Sequence, residues 1–435
     1  MKGNFSEIEK KAGKLIGIRF VRFLADLQKN RTVFRLIITG LITISNMISV
    51  MSQTVPLSAQ ARISLITCGP GEALYEAFGH SAIRVSDPTQ SLDLVFNYGM
   101  FDFNQENFYG NFAKGSMRYM LGVSSTSDFI DQYRRFNRTV REQVLNLDSN
   151  EKRAIVEYLS KNLLPENREY FYDYFDNNCS TKIIELLDSA LQRKVIWTFA
   201  QPQGTVTFRS MIYDYTTYQD WGRFGIDLGL GAVIDRPLKG RDLNFLPDEL
   251  ERSLARATIR RGMIDFPMVI SNQVLYESAV SYGAGSFLFS PAFLFSVILL
   301  VALVLWFRSS QSTIGFRILR SVLFTMAGLL GLVELSIWLF TNHKSAAWNY
   351  NILWANPLFF IIGLLIWFYE KPVRGFLVGF RFYLLGILVF WFLIPQQLNV
   401  NLIPLVAALA VLCVPRASNP KTAITNGEIK AGNVI

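Results

Sequence analysis

The 435-residue chain is poor in the two side chains that most often do chemistry: it has 3 cysteines and 2 histidines. The two histidines lie in separate regions, and there is no H-E-x-x-H or C-x-x-C, so the common zinc sites are excluded. No G-x-S-x-G nucleophile elbow is present, and no phosphate-loop or dinucleotide glycine pattern. No metal or other cofactor is therefore expected. Internal repeats and low-complexity stretches are also missing. The net charge is +9, yet residues 1–35 hold nine Lys/Arg against three Asp/Glu, and residues 416–435 hold three against one. The two ends thus carry nearly all of the excess. A nucleic-acid-binding protein places its excess on a folded face, so nucleic acid is not an expected partner. Charge at the ends of a membrane protein reads instead as topology.

What the chain does have is apolar surface. Hydrophobic residues make up 51% and the mean hydropathy is +0.25. That is too apolar for an ordinary soluble enzyme and too charged for a pure membrane protein. The basic N-terminus runs into "LIITGLITISNMISVMSQTVPLSAQA", whose small-x-small ending, Ala59 and Ala61, reads as a secretory signal or a retained anchor spanning residues 1–61. Five apolar runs lie at about 287–307, 321–340, 352–368, 377–395 and 399–415, near the ~17–25 residues that a spanning helix needs. The loops at 307–320 and 369–375 and the tail after Pro415 carry Arg and Lys, whereas those at 341–351 and 395–399 hold one Lys between them. Basic loops stay in the cytoplasm. The expected order is an exported domain at 62–286, five spans over 287–415, and a cytoplasmic tail at 416–435.

Within the exported domain, "RISLITC" (62–68), "HSAIRVS" (80–86), "LDLVFNYG" (92–99) and "RTVREQVLNL" (138–147) read as strands. "STSDFIDQYRRF" reads as a helix that Ser127 can cap, with Phe129, Tyr133 and Phe136 on one face. "DSNEKRAIVEYLSKNLL" opens like a capping box. "REYFYDYF" is a strand candidate, and "NNCSTKIIELLDSAL" a helix with a stripe of Ile183, Ile184, Leu187 and Ala190. The expected class is α+β, followed by an all-α membrane part.

Cys179 falls at the first turn of that last helix, behind two Asn that can cap it. A helix N-terminus presents free N–H groups and a positive dipole end, which favour a thiolate. The same N–H groups can receive an oxyanion. A thiolate nucleophile also needs a base, and His80 is the one histidine in the exported domain. Two structural readings compete: a Cys68–Cys179 disulfide, since exported proteins are oxidised, and a core role for His80. Cys413, in the last run, reads as packing. Asp173 and Asp176 have the form of a glycosidase pair, but surface carboxylates are common.

A strand His followed much later by a helix Cys reverses the papain order. It resembles the circularly permuted papain-like group, which includes lecithin:retinol acyltransferase-like and NlpC-like enzymes. "CGPGEALYEAFGHSAIRV", "FNYGMFDF", "PENREYFYDYFDNNCST" and "FTNHKSAAWNYNILWANPL" more closely resemble the Lnb family of bacterial lipoprotein N-acyltransferases. The resemblance covers nearly all of the chain after residue 60. It implies an inner-membrane enzyme with its catalytic domain on the periplasmic side. Cys179 would take an acyl chain from a phospholipid as a thioester and pass it to the α-amino group of a diacylated lipoprotein. His80 would move the protons, and Asn97 would orient it, with Asp102 second.

The loop after the second span is unusual in itself. His343, Asn349, Asn351 and Asn356 cluster there with Trp348 and Trp354. Asn at a span edge is costly and often functional; a lipid headgroup or the incoming amine is the expected ligand, and helix–helix hydrogen bonding the alternative. Glu334 has no assignable role. Two rival functions stand beside the acyltransferase: a cysteine peptidase or amidase acting on cell-wall peptides, and a non-catalytic membrane protein with the Cys68–Cys179 bridge.

Overall fold

A computed structural model describes residues 57–413, apart from 102–105, 202–203, 281, 284–285, 309–312 and 369. The expected signal or anchor before residue 57, the tail after Cys413 and Asp102 lie outside the described residues.

The alternating segments build one sheet. β1 (Arg62–Cys68), β2 (His80–Asp87), β3 (Leu92–Met100), β4 (Arg118–Ser125), β5 (Val140–Leu145), β6 (Glu169–Phe171) and β10 (Val269–Tyr276) form seven antiparallel strands in the order β10-β5-β1-β2-β3-β4-β6. β1 is central, and all but its first residue are buried. Helix α1 (Phe108–Ala113) precedes β4, and α2 (Thr126–Arg135) follows it. α2 begins earlier than the sequence suggested. Its cap is Ser125, whose hydroxyl accepts from the Asp128 N–H, and not Ser127. Phe129 and Tyr133 of α2 pack with Ile66, Cys68, Ala82 and Val95 on one face of the sheet.

The opposite face carries α3 (Ser149–Asn162) and α4 (Cys179–Ala190). Asp148 and Glu151 close the capping box of α3. α4 buries Ile183, Ile184, Leu186 and Leu187; each such side chain is worth about 1.5–3 kcal/mol. α5 (Phe208–Tyr215), α6 (Asp220–Gly229) and α7 (Pro247–Arg256) follow. β7 (Val195–Ile196), β8 (Thr258–Arg261) and β9 (Ile264–Pro267) make a second, three-stranded sheet.

The apolar runs of the C-terminal third lie on helices: α8 (Pro291–Arg308), α9 (Ile314–Phe340), α10 (Leu358–Phe368), α11 (Glu370–Val389) and α12 (Ile403–Leu412). Three segments, Pro291–Arg308, Ile314–Phe340 and Tyr350–Phe368, are long and apolar enough to cross a membrane. α9 and α10 approach closely because small residues face each other. A Cβ at Gly328 would strike the Phe360 backbone, one at Gly331 the Ala355 carbonyl, and one at Gly363 Thr325. Ser321 adds a hydroxyl bond to the Gly363 carbonyl at 2.6 Å. This is the small-residue packing that lets spanning helices attract one another in lipid.

Candidate active site

The pairing of β2 with β3 runs from Asp87/Leu92 to Ile83/Phe96 and stops there. Beyond it β3 bulges against β4, between Asn97 and Met100, and Gly99 takes a left-handed φ of +93°. A bulge re-aims side chains next to a site, and the first turn of α4 meets the two strands where they part. A Cβ at Gly99 would lie 3.8 Å from His80 Cε1, 3.9 Å from Cys179 Cβ and 4.0 Å from Tyr172 Cε2. The bare glycine thus leaves room for the thiol, the imidazole and a tyrosine ring to converge. Ser81, which follows His80, pins the other side: its Oγ lies 3.1 Å from Ser180 Oγ, which follows Cys179.

His80 Nε2 is 2.5 Å from Asn97 Oδ1. With Nε2 committed to Asn97, Nδ1 is the nitrogen left free for a second partner, and Cys179 is the ring's titratable neighbour. Cys179 is 8% exposed. Burial resists a thiolate, but the neighbouring imidazolium, its hydrogen bond, the Ser81 N–H and the Ser180 hydroxyl outweigh it and hold the thiol below its ordinary pKa. Burial also resists the imidazolium; the thiolate and the Asn97 bond outweigh it, against a small opposing push from Arg138, and raise the His80 pKa. The two groups thus shift toward each other, each favouring the charged form of its neighbour.

One expectation is corrected. The N–H groups of Ser180 and Thr181 are not available for an oxyanion: Asn178 Oδ1 accepts from them at 2.9 and 3.0 Å. A side chain that caps a helix well uses the donors a ligand would need. Asn178 is itself locked, its Nδ2 donating to the Tyr174 and Phe245 carbonyls. The Cys68–Cys179 bridge is not formed either; both thiols are free. Cys68 lies fully buried beside Tyr133, and burial pushes its pKa up to about 12.

Cys179 and His80 line a cleft of about 680 Å³. Its walls are mainly aromatic and aliphatic: Phe78, Tyr119, Tyr172, Tyr174 and Phe245, with Ile226 and Leu230 from the α6 side. Tyr119 stacks on Tyr172 at 4.2 Å between centroids. Arg138, tied to Glu76 at 3.2 Å and to the Gly69 carbonyl, also reaches the cleft. Among the described residues no group of three or more His, Cys, Asp or Glu side chains is placed to hold a metal.

The asparagine-rich loop meets the catalytic domain, but mostly through buried structural bonds. Asn351 Nδ2 donates to the Asp227 carbonyl at 2.8 Å, and its Oδ1 accepts from Trp354 Nε1. Asn349 Nδ2 donates to the Leu228 carbonyl at 2.6 Å. Asn356 Oδ1 accepts from the Leu358 N–H at the start of α10. His343 Nε2 reaches the Phe112 carbonyl at 3.1 Å. His343 also lines a cavity of about 420 Å³.

Sequence reasoning missed the centre of this junction. Arg209 is fully buried and pairs with Asp227 at 2.8 Å and Asp235 at 2.7 Å. Tyr213 and Asn399 also donate to the Asp227 carboxylate. Gln396 Nε2 donates to the Leu230 carbonyl, and its Oε1 accepts from the Tyr350 N–H. The Gly231 and Ala232 amides bond the carbonyls of Ser345 and Trp348. The only sequence signal was polar residues at the ends of apolar runs, of which Gln396 and Asn399 are two.

Two family models match the chain. The Lnb N-terminal periplasmic domain matches residues 53–212, and the Lnb transmembrane domain matches 284–418. The chain belongs to the Lnb family. It is a membrane protein with a periplasmic domain. No curated protein and no solved structure matches it. His80, Asn97 and Cys179 all fall inside the Lnb periplasmic match, and the asparagine loop inside the Lnb transmembrane match. Asp227 and Asp235, to which the spans are fastened, lie between the two matched regions.

Proposed function

We propose that this Lnb protein is a lipoprotein N-acyltransferase working by thiol catalysis. The observation that carries the reading is Cys179 and an Asn97-oriented His80 side by side in the wall of an apolar, aromatic cleft, on a domain bolted to membrane helices. In the first half-reaction the Cys179 thiolate attacks an ester carbonyl of a phospholipid. A C–S bond forms, the C–O bond breaks, and the His80 imidazolium gives its proton to the departing glycerol oxygen. In the second, the neutral α-amine of a diacylglyceryl-cysteine attacks the thioester. A C–N bond forms, the C–S bond breaks, and His80 takes the amine proton, which restores the ion pair. One ester and one amine become one alcohol and one amide.

Asn97 is the positioning residue for the ring. On this reading the catalytic domain expected over 62–286 and the spans expected over 287–415 keep both lipid substrates at the surface that holds the thiol. That raises their effective concentration. The basic loops at 307–320 and 369–375 favour a cytoplasmic side opposite the catalytic domain, which fits an inner-membrane enzyme facing the periplasm. Intact mass of the full-length protein from membranes tests the chemistry. The expected result is an acyl-sized excess that neutral hydroxylamine removes and that Cys179→Ser lacks. Transfer to a synthetic diacylglyceryl-cysteine peptide tests the acceptor. A protein without the thioester, yet active on soluble cell-wall peptides, would overturn the proposal.

A further inference from the structure

A thioester used twice must be reached by two substrates. The cleft has a neighbour. A second hollow of about 420 Å³ lies between the catalytic domain and the outer end of α9. Phe112, Asp173, Gly229, Ile337 and Lys344 line it. It shares Tyr119, Tyr172, Tyr174 and Leu230 with the cleft. Tyr172 thus stands between them: its ring edge lies beside Gly99 at the thiol, and the residue lines both hollows.

The two hollows reach the membrane part at different places. The cleft extends to Leu74 and Tyr75, and a Cβ at Gly222 would meet Leu74 at 2.8 Å. Next to Gly222, Trp221 donates to the Phe289 carbonyl, just ahead of α8. The second hollow reaches Ile337 in the last turn of α9. Gly115, with φ +66°, lets the loop after α9 dock there, since any Cβ would crowd the His343 backbone. Asn342 holds the contact through the Lys114 carbonyl and the Ser116 hydroxyl. Their linings differ as well. The cleft is aromatic around the thiol and suits an acyl chain. The second hollow has a carboxylate, Asp173, and an ammonium, Lys344, in its walls.

We infer that the second hollow is the acceptor port: the lipid-anchored amine enters between α9 and the catalytic domain, along Asp173, and reaches the thioester past Tyr172, while the acyl donor uses the cleft. The inference rests on the acyl-transfer reading above. It makes the two half-reactions separable by filling one hollow. A Cβ at Gly229 meets nothing within 4 Å, so Gly229→Phe puts a ring into the second hollow. Ser345→Trp fills it from the loop after α9. Gly225 lies one turn earlier on α6, is equally open and lines neither hollow, so Gly225→Phe is the control.

The full-length protein is placed in vesicles of phosphatidylethanolamine and phosphatidylglycerol. Loading is read as the hydroxylamine-labile acyl mass, and discharge as its loss to a synthetic diacylglyceryl-cysteine peptide. Gly229→Phe and Ser345→Trp are expected to load at the wild-type rate and discharge at least tenfold more slowly; Gly225→Phe is expected to do both normally. Wild-type discharge in both filled variants overturns the port, as does loading slowed in the same proportion as discharge. The variants sit on different elements, the end of α6 and the loop after α9, so a folding defect in one leaves the other to decide. A wild-type protein that never loads removes the acyl-transfer reading itself, and the port with it.

Discussion

Replacing Asn97 by Ala tests whether the third residue orients the base. Its Oδ1 is 2.5 Å from His80 Nε2, a bond that favours the charged form of the ring. A hydrogen bond to a charged group contributes about 1.5–3 kcal/mol. At about 1.36 kcal/mol per decade in rate, the loss should be about 10- to 150-fold in acyl loading. The pH profile should move too. The Asn97 bond is one of the contributions that raise the His80 pKa, and the imidazolium is in turn what most lowers that of Cys179. In Asn97→Ala the imidazolium therefore titrates at lower pH and the thiol at higher pH, so the active window narrows from both sides. The assay is alkylation of Cys179 by iodoacetamide across pH, beside the rate of acyl loading. The thiolate inflection should climb, with the protein still folded and the thiol still reactive at high pH. Loading within twofold of wild type and an unmoved inflection would refute the orienting role.

The other expectations concern the pair, the spare thiol, the junction and the spans. In the native protein, loading should rise with pH through the lowered thiol pKa and fall through the raised imidazolium pKa; a single rise near the ordinary thiol range would contradict the ion pair. Cys68→Ala should load normally, with a melting temperature lowered by the loss of a small buried side chain; inactivity would make Cys68 more than packing. Asp227→Ala should destabilise the protein by about 3 kcal/mol, near the bottom of the range for breaking a buried ion pair, because Asp235 still holds Arg209. Thermal unfolding in detergent checks it, and an unchanged midpoint would remove the junction from the stability of the fold. Gly331→Val drives a side chain into the Ala355 carbonyl and should abolish folded protein in membranes; normal yield would mean that α9 and α10 separate without cost.

What the sequence disclosed was what is local. β1, β2 and β3 follow from two-residue alternation, and the Asp148–Glu151 box from four adjacent residues. The site elements were legible for the same reason: Cys179 opens an apolar helix and His80 opens a strand. β4 was not read, since its sequence RYMLGVSS (118–125) lacks clean alternation of apolar and polar residues. The occupied amides of Ser180 and Thr181 were missed differently: Asn178 was seen as a cap, but a cap consumes the donors it covers. The junction was out of reach. Asp227 and Asn399 are 172 positions apart, and no periodicity connects them. The asparagines of the loop after α9 looked like ligand groups because their partners, the carbonyls of residues 227 and 228, come from backbone that sequence does not place.

The bonds between residues 227–235 and the outer ends of the helices also set a working height. A catalytic domain on a flexible tether samples many distances from its membrane. Here Arg209, Asp227, Asn351 and Gln396 hold one distance, and α6, whose side forms part of the cleft wall, belongs to the clamp. Depth in the leaflet then becomes a selection rule. On the proposed acyl-transfer reading, a bond that floats at the level of the thiol is within reach and one held at another depth is not, whatever its chemistry. On that reading, the same domain grafted onto a longer stalk would keep its Cys179–His80 geometry and lose its lipid substrates.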